Sequence, residues 1–435
     1  MNRTVTVAAL ALLVASSAEA APLKLGAELG KPILLANQKN TNYLKLSVTG
    51  FEREDASRTP VNLSLVIDRS SSMSGDKIAK AREAALLVLE RLGTNDILSV
   101  VAYDNGVEVL VPATKVTDRE MIAQRIRRIR PRGSTALFAG VSRGIEEVRK
   151  FLDDQRVNRV ILLSDGQANV GPSSPNELGR LGAAAGKEGI AVTTIGLGLG
   201  YNEDLMEQLA RRSDGNHAFA ENGEALVKIF GYELGDVLSV VAQELSMTVK
   251  LAEGIRPVRV LNRDGEIHGQ EVVLGLNQLY AKQEKFFLLE IEVSPQGANT
   301  NLSAADVSLS YANMATGKTE RTKDTVQLSF TRSKNEVARA ENRAVMVAAY
   351  ESIAVAQNRE AVALRDQGKV REAEKVLRDN AGWLQRKARK YKSKRLNTYS
   401  TKNLDDASNL DERSWNKQRK TMRKTQYELD SQQSF

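Results

Sequence analysis

Between Val61 and Leu234 apolar runs of strand length alternate with segments of helical period, and this alternation restricts the fold more than any other property of the chain. Val61 to Ile67, Ile97 to Tyr103, Val157 to Leu163 and Ile190 to Leu197 read as buried strands. Val107 to Val111 reads as a return strand behind the tight turn Asp104-Asn105-Gly106, and His217 to Phe219 as a short edge strand. Helices are predicted over Gly75 to Leu92, Thr117 to Ile129, Leu137 to Phe151, Asn176 to Glu188, Asn202 to Arg211 and Gly223 to Leu234, with Gly93 and Pro131 as stops. Strands and helices alternating in this way give a doubly wound α/β domain, with a mostly parallel sheet covered on both faces. Ligands of such sheets bind beyond the carboxyl ends of the strands, where the strand order reverses.

Chemistry-bearing residues fall at those ends. The run Val61 to Ile67 stops at Asp68, and oxygen side chains recur at every second position as Asp68, Ser70 and Ser72. The motif by itself reads equally as a turn and N-cap cluster, since it arises by chance in roughly one chain in ten of this length at ordinary Asp and Ser usage. Downstream, Gly133-Ser134-Thr135 places a hydroxyl before a helix, and Asp165 ends a second buried strand as Asp68 ends the first. Five oxygen donors in one α/β unit suit a hard divalent cation, of which Mg²⁺ takes oxygen ligands in octahedral geometry and keeps several waters; Mn²⁺ and Ca²⁺ are the alternatives. With three neutral hydroxyls beside it, the ion keeps uncompensated charge and favours a carboxylate from outside.

This constellation resembles the von Willebrand factor type A (VWA, Rossmann-like) domain family and its metal-ion-dependent adhesion site, over roughly Val61 to Leu234. Asp68-Arg69-Ser70-Ser71-Ser72-Met73-Ser74-Gly75, Ser134-Thr135-Ala136-Leu137 and Leu163-Ser164-Asp165-Gly166-Gln167-Ala168-Asn169 are most similar to bacterial relatives of the calcium-activated chloride channel and inter-alpha-trypsin inhibitor heavy chain group. The resemblance implies that Ser70 and Ser72 ligate Mg²⁺ directly, Thr135 directly or through water, and Asp68 and Asp165 mainly through water. It also implies a non-enzymatic role in adhesion or assembly, with a protein partner presenting an Asp or Glu carboxylate. Many relatives carry glycine at the position of Ser71, which is not a ligand.

Outside this unit the periodicities change. Residues 21–60 hold the apolar stretches Ile33 to Ala36 and Tyr43 to Val48, too few to fold alone. Leu245 to Leu251, Val258 to Leu261, Glu271 to Leu276, Lys285 to Val293, Val307 to Tyr311 and Thr325 to Phe330 alternate with period two, so residues 235–332 read as a β-sandwich. Its missing strands are expected in 21–60, which makes the α/β domain (61–234) an insertion in the β-sandwich domain. Residues 333–396 read as a C-terminal α-helical hairpin, Val337 to Asp366 and Val370 to Tyr391, and 397–435 as a polar, flexible tail.

Met1 to Ala20 carries a basic start, a short apolar run and Ala18-Glu19-Ala20, the pattern of a cleaved signal peptide, so export to the periplasm or cell surface is expected. The absence of cysteine excludes thiol chemistry and Cys-based metal sites. The two histidines, His217 and His268, are far apart in sequence and read as surface residues, leaving little for a histidine-based hydrolase. Catalysis of hydrolysis by the metal and a purely structural metal remain the competing readings. The net charge of +8 belongs to the end of the chain, where Arg386, Lys387, Arg389, Lys390, Lys392, Lys394 and Arg395 form a run without an acid. That run reads as a solvated helix end or a contact for an anionic envelope surface.

Overall fold

The computed structural model describes residues 22–52 and 58–432. The expected signal peptide, Met1 to Ala20, lies outside them.

Among the described residues, three strands precede the α/β domain: β1 (Lys24–Leu29), β2 (Ile33–Leu35) and β3 (Asn40–Thr49). Seven follow it: β10 (Val240–Leu251), β11 (Ile255–Val260), β12 (Glu266–His268), β13 (Glu271–Tyr280), β14 (Glu284–Val293), β15 (Asn301–Asn313) and β16 (Lys318–Thr331). They form one sheet ordered β1-β3-β14-β11 and another ordered β12-β13-β10-β15-β16-β2. The early strands do complete sheets built later in the chain: β3 runs antiparallel to β14, and β2 parallel to β16. Alternation explains the facing, since Leu44, Leu46 and Val48 of β3 point into a core shared with Met247, Val249, Phe287 and Leu289.

The inserted domain contributes β4 (Val61–Asp68), β5 (Ile97–Tyr103), β6 (Val107–Lys115), β7 (Val157–Ser164), β8 (Ala191–Leu197) and β9 (His217–Ala220), in the order β6-β5-β4-β7-β8-β9. All pairings are parallel except that of β6 with β5. Strands β4, β5, β7 and β8 are buried throughout because helices cover both faces. α1 (Asp76–Arg91), α2 (Arg119–Arg127) and α6 (Gly223–Leu238) pack on one face, and α3 (Leu137–Arg149), α4 (Pro175–Lys187) and α5 (Glu203–Arg212) on the other. Chain order reverses at β4, so Asp68 on β4 and Asp165 after β7 end side by side at the switch point.

A buried polar knot joins this domain to the sandwich. The Arg159 guanidinium, fully buried, donates to Thr193 Oγ1 at 2.8 Å, Gln278 Oε1 at 2.6 Å and Tyr280 OH at 2.8 Å. Glu233 balances its charge at 3.2 Å.

The end of the chain differs from expectation. The predicted first helix is two, α7 (Lys334–Ala340) and α8 (Arg343–Asp366), because the Asn342 side chain caps the amides of Ala344 and Val345 and restarts the helix. The second is α9 (Val370–Tyr391). The expected flexible tail is instead α10 (Lys394–Ser408) and α11 (Glu412–Ser431), which pack on α8, α9 and the α/β domain. Polar groups do much of this: Asn358, Asn380, Asn403 and Gln426 are buried and bond to one another. Lys420, also buried, donates from α11 to Glu203 Oε2 at 2.6 Å and to the Tyr201 carbonyl at 3.1 Å. Among the described residues no helix is long and apolar enough to cross a membrane.

Candidate metal centre

Three backbone segments meet at the carboxyl ends of β4 and β7. After Asp68 the chain makes a single 3-10 turn, Ser71–Met73, before α1. That loop is laced to the loop before α3, with Ser71 N–H donating to the Gly133 carbonyl at 3.0 Å and Arg132 N–H to the Arg69 carbonyl at 2.7 Å. Gly133 sits at φ +71°, and a Cβ there would lie 2.3 Å from Asn105 Oδ1, so only glycine fits. Arg69 ties the loop to the β5–β6 hairpin through Asp104 at 2.8 Å and Glu108 at 2.6 Å.

The structure brings all five expected residues together. Asp68, Ser70, Thr135 and Asp165 are buried and Ser72 is exposed. Asp68 Oδ1 accepts the Ser70 amide at 2.8 Å, and Oδ2 accepts the Ser164 hydroxyl at 2.7 Å. Burial pushes the Asp68 carboxyl above its ordinary value, and these hydrogen bonds oppose the rise. Ser72 Oγ donates to Asp165 Oδ1 at 2.7 Å, so in the 3.0 Å contact between the two serine hydroxyls Ser70 must be the donor. The relay uses up both protons and leaves lone pairs for a cation. Thr135 Oγ1 and Ser72 Oγ both lie against Gly166, at 3.1 Å and 3.6 Å from where its Cβ would be. Asn169 Oδ1 accepts the Thr135 amide at 2.8 Å.

These donors fit a divalent ion. Adjacent ligands of an octahedral Mg²⁺ with bonds of about 2.1 Å are separated by about 3.0 Å, the spacing of the Ser70 and Ser72 hydroxyls. Among the described residues no group of three or more His, Cys, Asp or Glu is placed to hold a metal. An ion in this cleft would therefore depend on the hydroxyls.

Several neighbours outside the five support them, of which Lys77 and Gly200 carry no sequence signal of their own. Ser164 and Asn169 fix Asp68 and Thr135, Lys77 Nζ donates to Asp165 Oδ2, and Gly200 packs so closely that a Cβ would lie 2.7 Å from the Asp165 carbonyl. The loop holding Gly200 is in turn held by α11, through Asn416 on the Leu199 carbonyl and Lys420 on that of Tyr201.

His217 does not lie on the surface. It is buried between Tyr201 and Tyr427, and burial lowers the imidazole to about 4, leaving it neutral. Its Nδ1 lies 2.8 Å from Thr194 Oγ1, whose proton goes to the Met206 carbonyl, so the Nδ1–H is the donor. His268 is exposed. In the basic run Lys390 pairs with Glu341, Arg395 with Glu351, and Lys387 lies over the Tyr350 ring at 4.3 Å. Arg386, Arg389, Lys392 and Lys394 are exposed.

A doubly wound domain with a hydroxyl and carboxylate cluster at its switch point defines the class of protein. Residues 62–231 match the von Willebrand factor type A domain, and the chain carries a domain of that family. The uncharacterized protein sll0103 of Synechocystis sp. is 27% identical over 297 residues, 66% of this chain and 70% of that protein. Inter-alpha-trypsin inhibitor heavy chain H3 of Rattus norvegicus is 31% identical over 231 residues, but the match spans 49% of this chain and only 25% of the heavy chain. Among solved structures, a von Willebrand factor type A protein from Catenulispora acidiphila superposes with a TM-score of 0.71 at 15% identity, covering 88% of this chain and 89% of that one. The ArnB paralog VWA2 from Sulfolobus acidocaldarius does so with a TM-score of 0.64 at 18% identity, over 95% and 99%. The likeness therefore extends beyond the inserted domain to most of the fold.

Proposed function

We propose that this chain is an exported, non-enzymatic binding protein that holds a divalent ion, Mg²⁺ by preference, and uses it to capture an Asp or Glu carboxylate of a protein partner. Ser70, Ser72 and Thr135 supply hydroxyls, and Asp68 and Asp165 hold the ion mainly through water. The observation that carries this reading is the hydroxyl pair of Ser70 and Ser72, whose protons are spent on one another and on the buried Asp165 while Ser72 is exposed at the mouth of the site. Domains of this family generally serve as interaction modules, which supports binding rather than catalysis. The signal-like residues 1–20 motivate export, and the exposed Arg386, Arg389, Lys392 and Lys394 offer a second contact to an anionic envelope surface.

The test is affinity capture from an envelope extract by immobilised protein, in Mg²⁺ and in EDTA, alongside Asp68→Ala whose fold is checked by circular dichroism. Capture is expected in Mg²⁺ with the native site alone. The same bound proteins in EDTA would refute the proposal.

A further inference from the structure

Asp165 is held by two side chains of opposite character. Its Oδ1 takes the Ser72 proton, while its Oδ2 takes the ammonium of Lys77, which stands in the first turn of α1. The Asp165 side chain is 0% exposed and that of Lys77 is 37% exposed, so the pair is closed at the acid and open at the amine. The end of the lysine side chain lies along the backbone at Gly198, with Cε 3.8 Å and Nζ 3.9 Å from where a Cβ would be. The ammonium end thus faces solvent in part, whereas the carboxylate is enclosed.

We propose that Lys77 is the resident counter-cation of the site and, once an ion is bound, the second contact for the carboxylate that the ion captures. This rests on the function proposed above and adds what selects the ligand. Two buried carboxylates, Asp68 and Asp165, converge here, and such a pair needs positive compensation from some source. Without the ion, Lys77 supplies that charge. With it, the ammonium and the divalent cation repel across a few ångströms, and Lys77 swings from Oδ2 to the rim beside Ser72. A ligand carboxylate with one oxygen on the ion then has the other within reach of the ammonium. A carboxylate satisfies both cations, and a neutral amide or hydroxyl satisfies only the ion.

The experiment compares the full chain with Lys77→Met, which keeps the stem and removes the charge. Calorimetric titration with Mg²⁺ should show the variant binding roughly tenfold tighter, since a unit charge no longer opposes the ion. Acetate titrated into the Mn²⁺-loaded proteins, read by water-proton relaxation as bound water is displaced, should bind several-fold more weakly to the variant. Lys77→Arg should restore native behaviour in both titrations. Weaker Mg²⁺ binding by Lys77→Met would mean that the lysine merely positions Asp165 and would overturn the inference, as would unchanged affinities for both probes. If the native protein binds neither metal, the reading of the site fails and takes this inference with it, a result distinct from either of those.

Discussion

Acid should loosen the edge at which the last helix meets the α/β domain, because His217 must stay neutral there. The ring is 1% exposed, its Nδ1–H is committed to Thr194, and Tyr427 of α11 stands edge-on to it with centroids 5.8 Å apart. Burial lowers the imidazole from 6.5 to about 4; Glu207 and Glu203 oppose that fall and Lys420 adds to it. The unfolded chain therefore binds more protons than the folded one between those values. The stability contributed by the neutral ring is complete above pH 6.5 and is lost as the pH falls through about 4. At roughly 1.4 kcal/mol per pH unit, that loss amounts to about 3 kcal/mol. His217→Asn preserves a donor toward Thr194 and removes the titration, so it isolates the effect from the many carboxylates that also titrate. Urea unfolding at pH 7.5 and pH 4, followed by circular dichroism and by the fluorescence of Trp383 and Trp415 in the helical unit, reads it. The wild type should lose about 3 kcal/mol more than the variant over this interval. Parallel losses in the two proteins would refute the reasoning.

Other consequences are equally direct. Gly200→Ala forces a Cβ against the Asp165 carbonyl, so Mg²⁺ affinity measured by calorimetry should fall while circular dichroism stays native. Glu233→Gln leaves the buried Arg159 without its counter-charge, and chemical denaturation should show a loss of about 3 to 5 kcal/mol. Truncation after Leu410 removes α11 and uncovers Tyr201 and His217; hydrogen exchange should accelerate in β9 and in the loop containing Gly200.

The inserted domain was legible because its signals are local and redundant. Strand β5 occupies the predicted Ile97 to Tyr103, and the other strands shift by a few residues, since apolar runs between glycines and caps leave little freedom. The five candidate residues could be nominated for a different reason: each lies beside an element end that the sequence marks. Lys77 and Gly200 carry no such mark, being defined only by what the fold sets beside them. Helix α11 was missed because its inward face is Lys420, Met422, Gln426, Tyr427 and Asp430, a surface that polarity assigns to solvent. It is ordered by charge pairing instead, with Lys420 on Glu203 and Arg419 on Glu203, Asp204 and Asp366, partners that lie tens to hundreds of residues away in sequence. His217 misled for the same reason: its turn-like flanks describe the loop before β9, and the helix that buries it comes some two hundred residues later.

If Asp68, Ser70, Ser72, Thr135 and Asp165 form one divalent-ion site, binding must depend on its hydroxyls. Calorimetric titration of Mg²⁺ into the full chain and into Ser70→Ala/Ser72→Ala tests it most directly, because removing two exchangeable hydroxyls leaves both buried carboxylates in place. The native chain should bind one ion saturably, and the double variant should lose that binding with the fold retained. Equal affinity in the two proteins would contradict it.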